Sequence, residues 1–255
     1  MICRHPNHGQ KLDVSGLNEI TVLIDRSETE LTEVAINSWT PGLDGPPHAH
    51  DRKEQNFLVT AGGGAVVIGA DRFPAAPGDF FYVPAGVVHQ TINQHPDRRL
   101  EYFLFNAFLD TDKEGHASFA AHIALVKHTR KQQADAQRAD AGGGGAAITG
   151  TRSGRKSSLP AAASGAVLIG RADTERCEAL FWLVPAGGQA GIAAEPTKEQ
   201  TLFVYAGGGK IQVGAEQVAV ETRHTIYVPR GTSCSLEAGP GGLQVVSFGT
   251  VVSRS

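Results

Sequence analysis

The chain has 255 residues, long enough for two domains of ordinary size or for one large β protein. Its net charge of −3 and the lack of a basic stripe with interleaved aromatic residues argue against a nucleic-acid partner. No stretch approaches the roughly 18 apolar residues that a membrane-spanning helix requires, and residues 1–6 lack the apolar core of a signal peptide. We therefore expect a cytoplasmic protein with no membrane partner.

Short runs of β-branched and aromatic residues, each bounded by glycine or proline, predict strands in the first half of the chain. The 31 glycines and 13 prolines indicate many tight turns, which favours short strands over long helices. This spacing is typical of an antiparallel sandwich or barrel. The clearest runs cover residues 57–60, 65–68, 80–83 and 100–105.

Two further segments separate the halves of the chain. Residues 114–141 carry apolar side chains at helical spacing and, after Gly115, no internal glycine or proline, so they predict a connecting helix. Residues 142–165 are rich in glycine, alanine, serine and arginine and offer almost no large apolar side chain, so they predict a linker, mobile at its glycine-rich start.

An internal repeat relates the two halves. The tripeptide Lys-Glu-Gln at 53–55 recurs at 198–200, and Tyr-Val-Pro at 82–84 recurs at 227–229, both at an offset of 145 residues. This period is too long for a solenoid unit and indicates duplication of a whole domain. The predicted organisation is an N-terminal domain (1–113), a helix and linker (114–164) and a C-terminal domain (165–255).

Histidines in the first half have the pattern of a metal site. His48 and His50 are two residues apart, and side chains at i and i+2 of an extended chain project from the same face. Both imidazoles can therefore reach one point in space. His89 follows about forty residues later, after a segment with two glycines and a proline that turns the chain.

These residues resemble the two motifs of the cupin superfamily, G(x)5HxH(x)3–4E(x)6G and G(x)5PxG(x)2H(x)3N. The resemblance implies two tandem jelly-roll barrels, an all-β fold similar to quercetin-dioxygenase-like bicupins, with one divalent transition metal bound by His48, His50 and His89 in the first barrel. The matching residues are Gly42, His48, His50 and Gly62 for the first motif, and Gly78, Pro84, Gly86, His89 and Asn93 for the second.

The fourth ligand departs from the family pattern. Glu54 has the HxH(x)3E spacing but lies seven residues before Gly62, whereas Gln55 lies the expected six residues before it. Gln55 also shares a strand face with the apolar Phe57, whereas Glu54 lies on the opposite face, which we expect to be nearer to solvent. We favour Gln55 as the metal ligand and retain Glu54 as the alternative ligand or, if it points inward, as a catalytic base.

The second half has lost the three histidines. The offset of 145 places Ala193, Glu195, Gln200 and Cys234 where His48, His50, Gln55 and His89 stand, which predicts a degenerate site. The remaining histidines fit no ligand pattern and are expected at the surface or on helix faces. They are His5, His8, His95, His116, His122, His128 and His224.

Three functions are compatible with this pattern. The leading hypothesis is a metal-dependent enzyme that binds a small oxygenated substrate, with an anionic substrate favoured and dioxygenation as the first choice. Isomerisation through an enediolate is the runner-up, and a non-catalytic protein that binds a metabolite or a metal is the third. By family analogy we also expect the two barrels to pack together and the protein to form a homodimer.

Overall fold

The computed structural model describes residues 1–14, 16–139 and 153–252, and most of these residues lie in β-strands. The helices in these ranges are α1 (Phe119–Ala139) and short 3-10 helices at Pro6–His8, Arg26–Glu28 and Arg171–Asp173. The strands are β1 (Ile2–Arg4), β2 (Gln10–Val14), β3 (Asn18–Ile24), β4 (Thr32–Trp39), β5 (Leu43–Asp44), β6 (Lys53–Ala61), β7 (Gly64–Ile68), β8 (Asp71–Ala75), β9 (Asp79–Val83), β10 (His89–Asn93), β11 (Leu100–Phe108), β12 (Arg155–Ser158), β13 (Ala166–Ile169), β14 (Cys177–Val184), β15 (Gln189–Ile192), β16 (Lys198–Val213), β17 (Glu216–Glu221), β18 (Thr225–Val228) and β19 (Cys234–Val251).

The strands form two antiparallel barrels with the cupin jelly-roll architecture, which confirms the predicted fold class. In the N-terminal barrel a seven-stranded sheet, in the order β12-β9-β6-β11-β4-β3-β2, faces a four-stranded sheet in the order β5-β10-β7-β8. In the C-terminal barrel the path β1-β18-β16-β19-β14-β13 is joined by β15 and β17. The four strand runs predicted from the sequence lie in β6, β7, β9 and β11.

The repeated glycines make tight turns that other residues cannot make. Gly62 and Gly207, at equivalent places in the two copies, have φ values of +75° and +80°. A Cβ atom on Gly62 would lie 1.9 Å from the carbonyl oxygen of Arg99, and one on Gly207 would lie 2.2 Å from that of Gly242. The backbone approaches so closely at these two positions that only glycine fits there.

Each barrel contributes a strand to the other. β1, at the start of the chain, pairs with β18 of the C-terminal barrel, with Ile2 opposite Tyr227. β12, which precedes the C-terminal barrel, pairs with β9 of the N-terminal barrel. Residues 2–4 and 155–158 therefore extend the sheet of the opposite barrel.

An aromatic cluster joins the two barrels. The ring of Phe103 stacks on that of Phe203 with centroids 4.2 Å apart, and Phe248 lies 5.1 Å from Phe103 and 5.0 Å from Phe105. All four rings are buried. Because buried aromatic rings contribute a large apolar area, this contact stabilises one arrangement of the barrels.

The segment between the barrels differs in part from the prediction. α1 begins at Phe119, after a turn at 114–118, and its described part ends at Ala139, so the last two residues of the predicted helix lie outside the described residues. The expected linker forms strand β12 at 155–158, whereas its glycine-rich start at 142–152 lies outside the described residues.

None of the described helices is both long enough and apolar enough to cross a membrane.

Candidate metal centre

Backbone pairing places His48 beside His89. The amide of His48 donates to the carbonyl of His89 over 3.0 Å, and the amide of His89 donates back over 2.8 Å. The turn before β10 contacts the His48–His50 segment as well, since the amide of Gly86 donates to the carbonyl of His50 over 2.9 Å. The two sequence motifs, distant in the chain, thus meet at one mouth of the N-terminal barrel.

The three imidazole rings converge. Their centroids lie 4.9 Å apart for His48 and His50, 4.4 Å for His48 and His89, and 5.4 Å for His50 and His89. A ligand nitrogen from each lies within 4.8 Å of the others. The Nδ1 atoms of His48 and His89 face the carbonyls of Pro46 and Val87, at 2.9 and 3.2 Å, so that Nε2 carries the lone pair in these rings. This donor set fits a divalent transition ion.

Gln55 lines the same cavity, and its amide orientation is determined by its neighbours. Nε2 of Gln55 donates to Oδ1 of Asn106 over 2.8 Å, and Nδ2 of Asn106 donates to the Glu33 carboxylate over 2.7 Å. Because a carboxylate accepts and does not donate, Asn106 has to present its oxygen to Gln55. The carbonyl Oε1 of Gln55 is therefore the atom that can act as a ligand, as the sequence-based preference for Gln55 requires.

The site opens into a cavity of about 830 Å³, a size typical of small-molecule sites. One wall is apolar and aromatic, formed by Ile20, Val22, Trp39, Phe57, Tyr102 and Leu104. Residues 112–129, which lead into α1 and form its first turns, supply the opposite side. The cavity thus combines a polar metal-ligand cluster with an apolar wall and a helical cover.

Two of the histidines expected at the surface lie in this cavity instead. His116 and His122 are 7% and 6% exposed, and both face Glu33, which is 3% exposed. The expectation of surface positions was wrong because α1 folds back over the barrel mouth, a contact that helical spacing alone does not reveal. No motif in the sequence marked Glu33, whose role depends on its register opposite Asn106.

The charges around this group are strongly coupled. Burial would raise the pKa of Glu33, but the positive charges of His122 and Lys53 hold that pKa well below its usual range. Burial would lower the pKa of His122, but the neighbouring carboxylates of Glu33 and Asp25 raise it above the ordinary value. Glu33 is therefore an anion on the cavity wall at neutral pH.

Glu54 does not reach the cavity. Its side chain is fully buried and accepts hydrogen bonds from the amides of Glu175 and Arg176, each at 2.8 Å, and of Cys177 at 3.2 Å, as well as from the hydroxyl of Tyr82. The expectation of a solvent-facing side was wrong, and this position gives no support to Glu54 as a ligand or base. The face opposite the cavity is covered by the second barrel, which strand parity could not show.

Ion pairs line the equivalent site in the C-terminal barrel. Lys198 contacts both Glu178 and Glu195, and Arg171 also binds both carboxylates. Burial raises the pKa of the Cys234 thiol to about 11, so it remains protonated at neutral pH and is a poor metal ligand. This arrangement supports the interpretation of the second copy as degenerate.

Comparisons with known proteins agree with this architecture. Residues 38–105 match the family model described as "Cupin domain". A search of curated protein sequences returned no significant match. Solved structures with the same fold include protein Ylba from E. coli, with a TM-score of 0.70 at 9% identity, covering 99% of this chain and 91% of that one.

Two further structures have the same fold. Oxalate decarboxylase from Bacillus subtilis, whose structure was determined for a study of its Mn(II) centres, has a TM-score of 0.67 at 15% identity, covering 100% of this chain and 78% of that one. Vicilin from Corylus avellana (hazelnut) has a TM-score of 0.62 at 15% identity, covering 98% of this chain and 85% of that one. Identities this low show the fold alone. The chain thus has a tandem cupin fold, and residues 38–105 match the cupin family model.

Proposed function

We propose that the N-terminal barrel is a metal-dependent enzyme that acts on a small oxygenated organic substrate, with dioxygenation as the reaction. The observation that carries the proposal is the convergence of three imidazoles, two of them with Nδ1 held by a backbone carbonyl, beside the neutral amide of Gln55. When bound, an Fe(II) ion would supply Lewis acidity and electrons for reaction with O2.

The ligand set favours an anionic substrate. Three neutral imidazoles and an amide oxygen add no negative charge, so the centre retains the full charge of a divalent ion. The ligands do not neutralise the charge of the ion, so this charge would attract a carboxylate, enediol or hydroxy-ketone that chelates through two oxygens. The Mn(II) centres named for the structurally similar oxalate decarboxylase support a divalent ion and a small oxygenated acid in this fold.

The cavity walls supply orientation and exclude water. The rings of Phe57 and Tyr102 stack with centroids 4.7 Å apart, and Phe57 lies 5.9 Å from His89, so an apolar surface borders the metal ligands. The first turns of α1 cover the opposite side. A substrate with one chelating end and one apolar end is the class that this cavity matches.

The position of Glu54 favours dioxygenation over isomerisation. An isomerase needs a base to move a proton between two carbon atoms. Glu54, the candidate base, has its carboxylate buried in the contact between barrels. Glu33 does line the cavity, but Asn106 donates to one of its oxygens and two imidazoles face the other.

Oxygen consumption tests the proposal. Metal-depleted protein is reconstituted with Fe(II), Mn(II) or Zn(II) and assayed in air and under argon with α-hydroxyketones, enediols, keto acids and oxalate. We expect O2 uptake that matches substrate loss with Fe(II), that disappears in His50→Ala and that persists in His8→Ala, an exposed histidine outside the site. Equal turnover under argon would contradict dioxygenation and support isomerisation or decarboxylation.

A further inference from the structure

A second group of potential metal ligands lies in the same cavity, outside the three-histidine centre. Glu33 is on β4, His116 is in the turn before α1, and His122 is in the first turn of α1. All three side chains are more than nine-tenths buried, and a ligand atom of each lies within 4.8 Å of the others. Three separate elements thus bring two imidazoles and a carboxylate together.

The distances among these atoms have the dimensions of a metal site. Nδ1 of His116 lies 3.2 Å from Oε2 of Glu33, and Nε2 of His122 lies 3.5 Å from the same oxygen. Two ligand atoms bound tetrahedrally at about 2.0–2.1 Å are about 3.3 Å apart. Apart from the contacts within this cluster, Oε2 of Glu33 and Nδ1 of His116 have no hydrogen-bond partner among the described residues, although both atoms are buried. A bound ion would satisfy both atoms.

Neighbouring side chains orient the ligand atoms. Nδ1 of His122 lies 3.0 Å from Oδ2 of Asp25, so it donates to that carboxylate, and in the neutral ring that a metal requires Nε2 carries the lone pair. Oε1 of Glu33 accepts from Asn106 over 2.7 Å, which directs Oε2 toward the imidazoles. A carboxylate behind a histidine that binds a metal is a recurrent arrangement, because it fixes the tautomer and increases the basicity of the ligand nitrogen.

In the second copy, which lacks the histidines, the equivalent glutamate forms ion pairs instead. Glu178, which the repeat aligns with Glu33, is bound by Lys198 and Arg171. In the first copy the equivalent Arg26 instead donates to the carbonyls of Thr29 and Asp110, at 3.2 and 3.1 Å, and stacks on Phe108.

Lys53, the equivalent of Lys198, has its ammonium 5.4 Å from the Phe108 ring centroid. The connecting segment therefore brings imidazoles to the carboxylate that arginine and lysine bind in the other barrel.

We propose that Glu33, His116 and His122 bind a second divalent transition ion of the zinc type. The ion fastens the start of α1 to β4 and so holds the cover over the cavity. Asn106 lies opposite Gln55 on one neighbouring strand and opposite Glu33 on the other. The hydrogen bonds among these three side chains link the proposed site to the three-histidine centre.

A rival explanation uses the same residues without a metal. A protonated His122 between Asp25 and Glu33 would also attach α1 to the barrel, as an ionic contact. The two explanations differ in their response to zinc. A metal site gains stability and protection from exchange when Zn²⁺ is added, whereas an ionic contact that binds no metal gains neither.

Zinc binding in a variant that lacks the first site tests the proposal independently of the proposed enzymatic function. In a His48→Ala/His50→Ala background, metal-depleted protein at neutral pH is titrated with Zn²⁺ by calorimetry, and bound zinc is counted by elemental analysis. We expect about one equivalent to remain, and the further change Glu33→Gln or His122→Gln to abolish it. The matched control His128→Gln, on the exposed part of the same helix, should retain it.

Hydrogen exchange provides a second measurement that does not depend on the stability of those variants. In wild-type protein and in the same background, added Zn²⁺ should slow amide exchange over residues 116–126 by at least about tenfold. No zinc uptake in the background, unchanged uptake in Glu33→Gln, or exchange that zinc leaves unaffected or accelerates would each overturn the second site. Zinc binding at Glu33, His116 and His122 does not require the three-histidine centre. The proposed second site and the proposed enzymatic function can therefore fail separately.

Discussion

Glu54 and Glu199 occupy equivalent positions of the repeat, and each carboxylate caps a loop of the opposite barrel. Glu54 accepts from the amides of residues 175–177, while Glu199 accepts from the amides of Glu30 and Leu31 at 3.1 and 2.8 Å. Tyr82 and Tyr227 donate their hydroxyls to Glu54 and Glu199, respectively. The recurring Lys-Glu-Gln sequence is thus explained by a pseudo-twofold contact between barrels, in which the glutamate has a structural role.

Replacing Glu54 with glutamine should destabilise the protein without removing the metal site. The amide would place a donor against backbone donors in a buried position, which we expect to lower the free energy of unfolding by ~2 kcal/mol. Urea unfolding measures the change. Glu199→Gln should have a similar effect, and the exposed Glu221→Gln should stay within about 0.5 kcal/mol of wild type. A Glu54→Gln variant of wild-type stability would contradict the capping role.

Removing bound metal should lower the melting temperature, and part of that loss should depend on the three-histidine centre. An ion at a concentration of 100 Kd stabilises the folded state by about 2.7 kcal/mol, because it binds the folded chain and not the unfolded one. Thermal unfolding with and without a chelator measures the difference. His50→Ala should respond less to the chelator than wild type does, whereas His8→Ala should respond as wild type. Identical responses in all three proteins would contradict metal binding at His50.

Restoring the family's carboxylate with Gln55→Glu should destabilise the metal-free protein. The new carboxylate would lie against Oδ1 of Asn106, which Glu33 holds in that orientation, at an expected cost of ~1–3 kcal/mol. A divalent ion should recover part of this loss, because it attracts the added charge. Denaturant unfolding of metal-free and metal-loaded protein checks both effects. Gln55→Leu is the control, and it should gain less stability from the metal than Gln55→Glu does.

Acid should weaken the attachment of β12 to the first barrel. Burial would raise the pKa of Asp79, but hydrogen bonds from Ser158, Lys156 and the amide of Ala76 outweigh it and lower the pKa below the ordinary value. A lowered pKa contributes stability above the unfolded value of about 3.9, and this contribution is lost as pH falls through the folded pKa. Asp79→Asn should therefore be less stable than wild type at pH 7, and the difference should shrink toward pH 2.

The pH dependence of urea unfolding checks this prediction. Ser158→Ala, which removes one donor to Asp79, should show a smaller change of the same sign. A constant difference between wild type and Asp79→Asn across the acid range would show that ionisation of Asp79 does not stabilise β12.

The sequence by itself determined the duplicated barrels, their strand runs and the cluster of His48, His50 and His89. These features depend on local rules. Glycine and proline specify turns such as the one at Gly62, and the two-residue period of an extended chain puts His48 and His50 on one side. The spacing of Gln55 relative to Gly62 likewise placed its side chain in the cavity.

The tertiary structure alone decided which surfaces are covered. Strand parity separated Glu54 from Gln55 but could not show that the face carrying Glu54 meets the second barrel. Helical spacing could not place His116 and His122 against Glu33, since that contact joins residues more than eighty positions apart and depends on how α1 returns over the barrel mouth. Burial and pairing between distant segments are properties of the packed chain, and a linear pattern does not contain them.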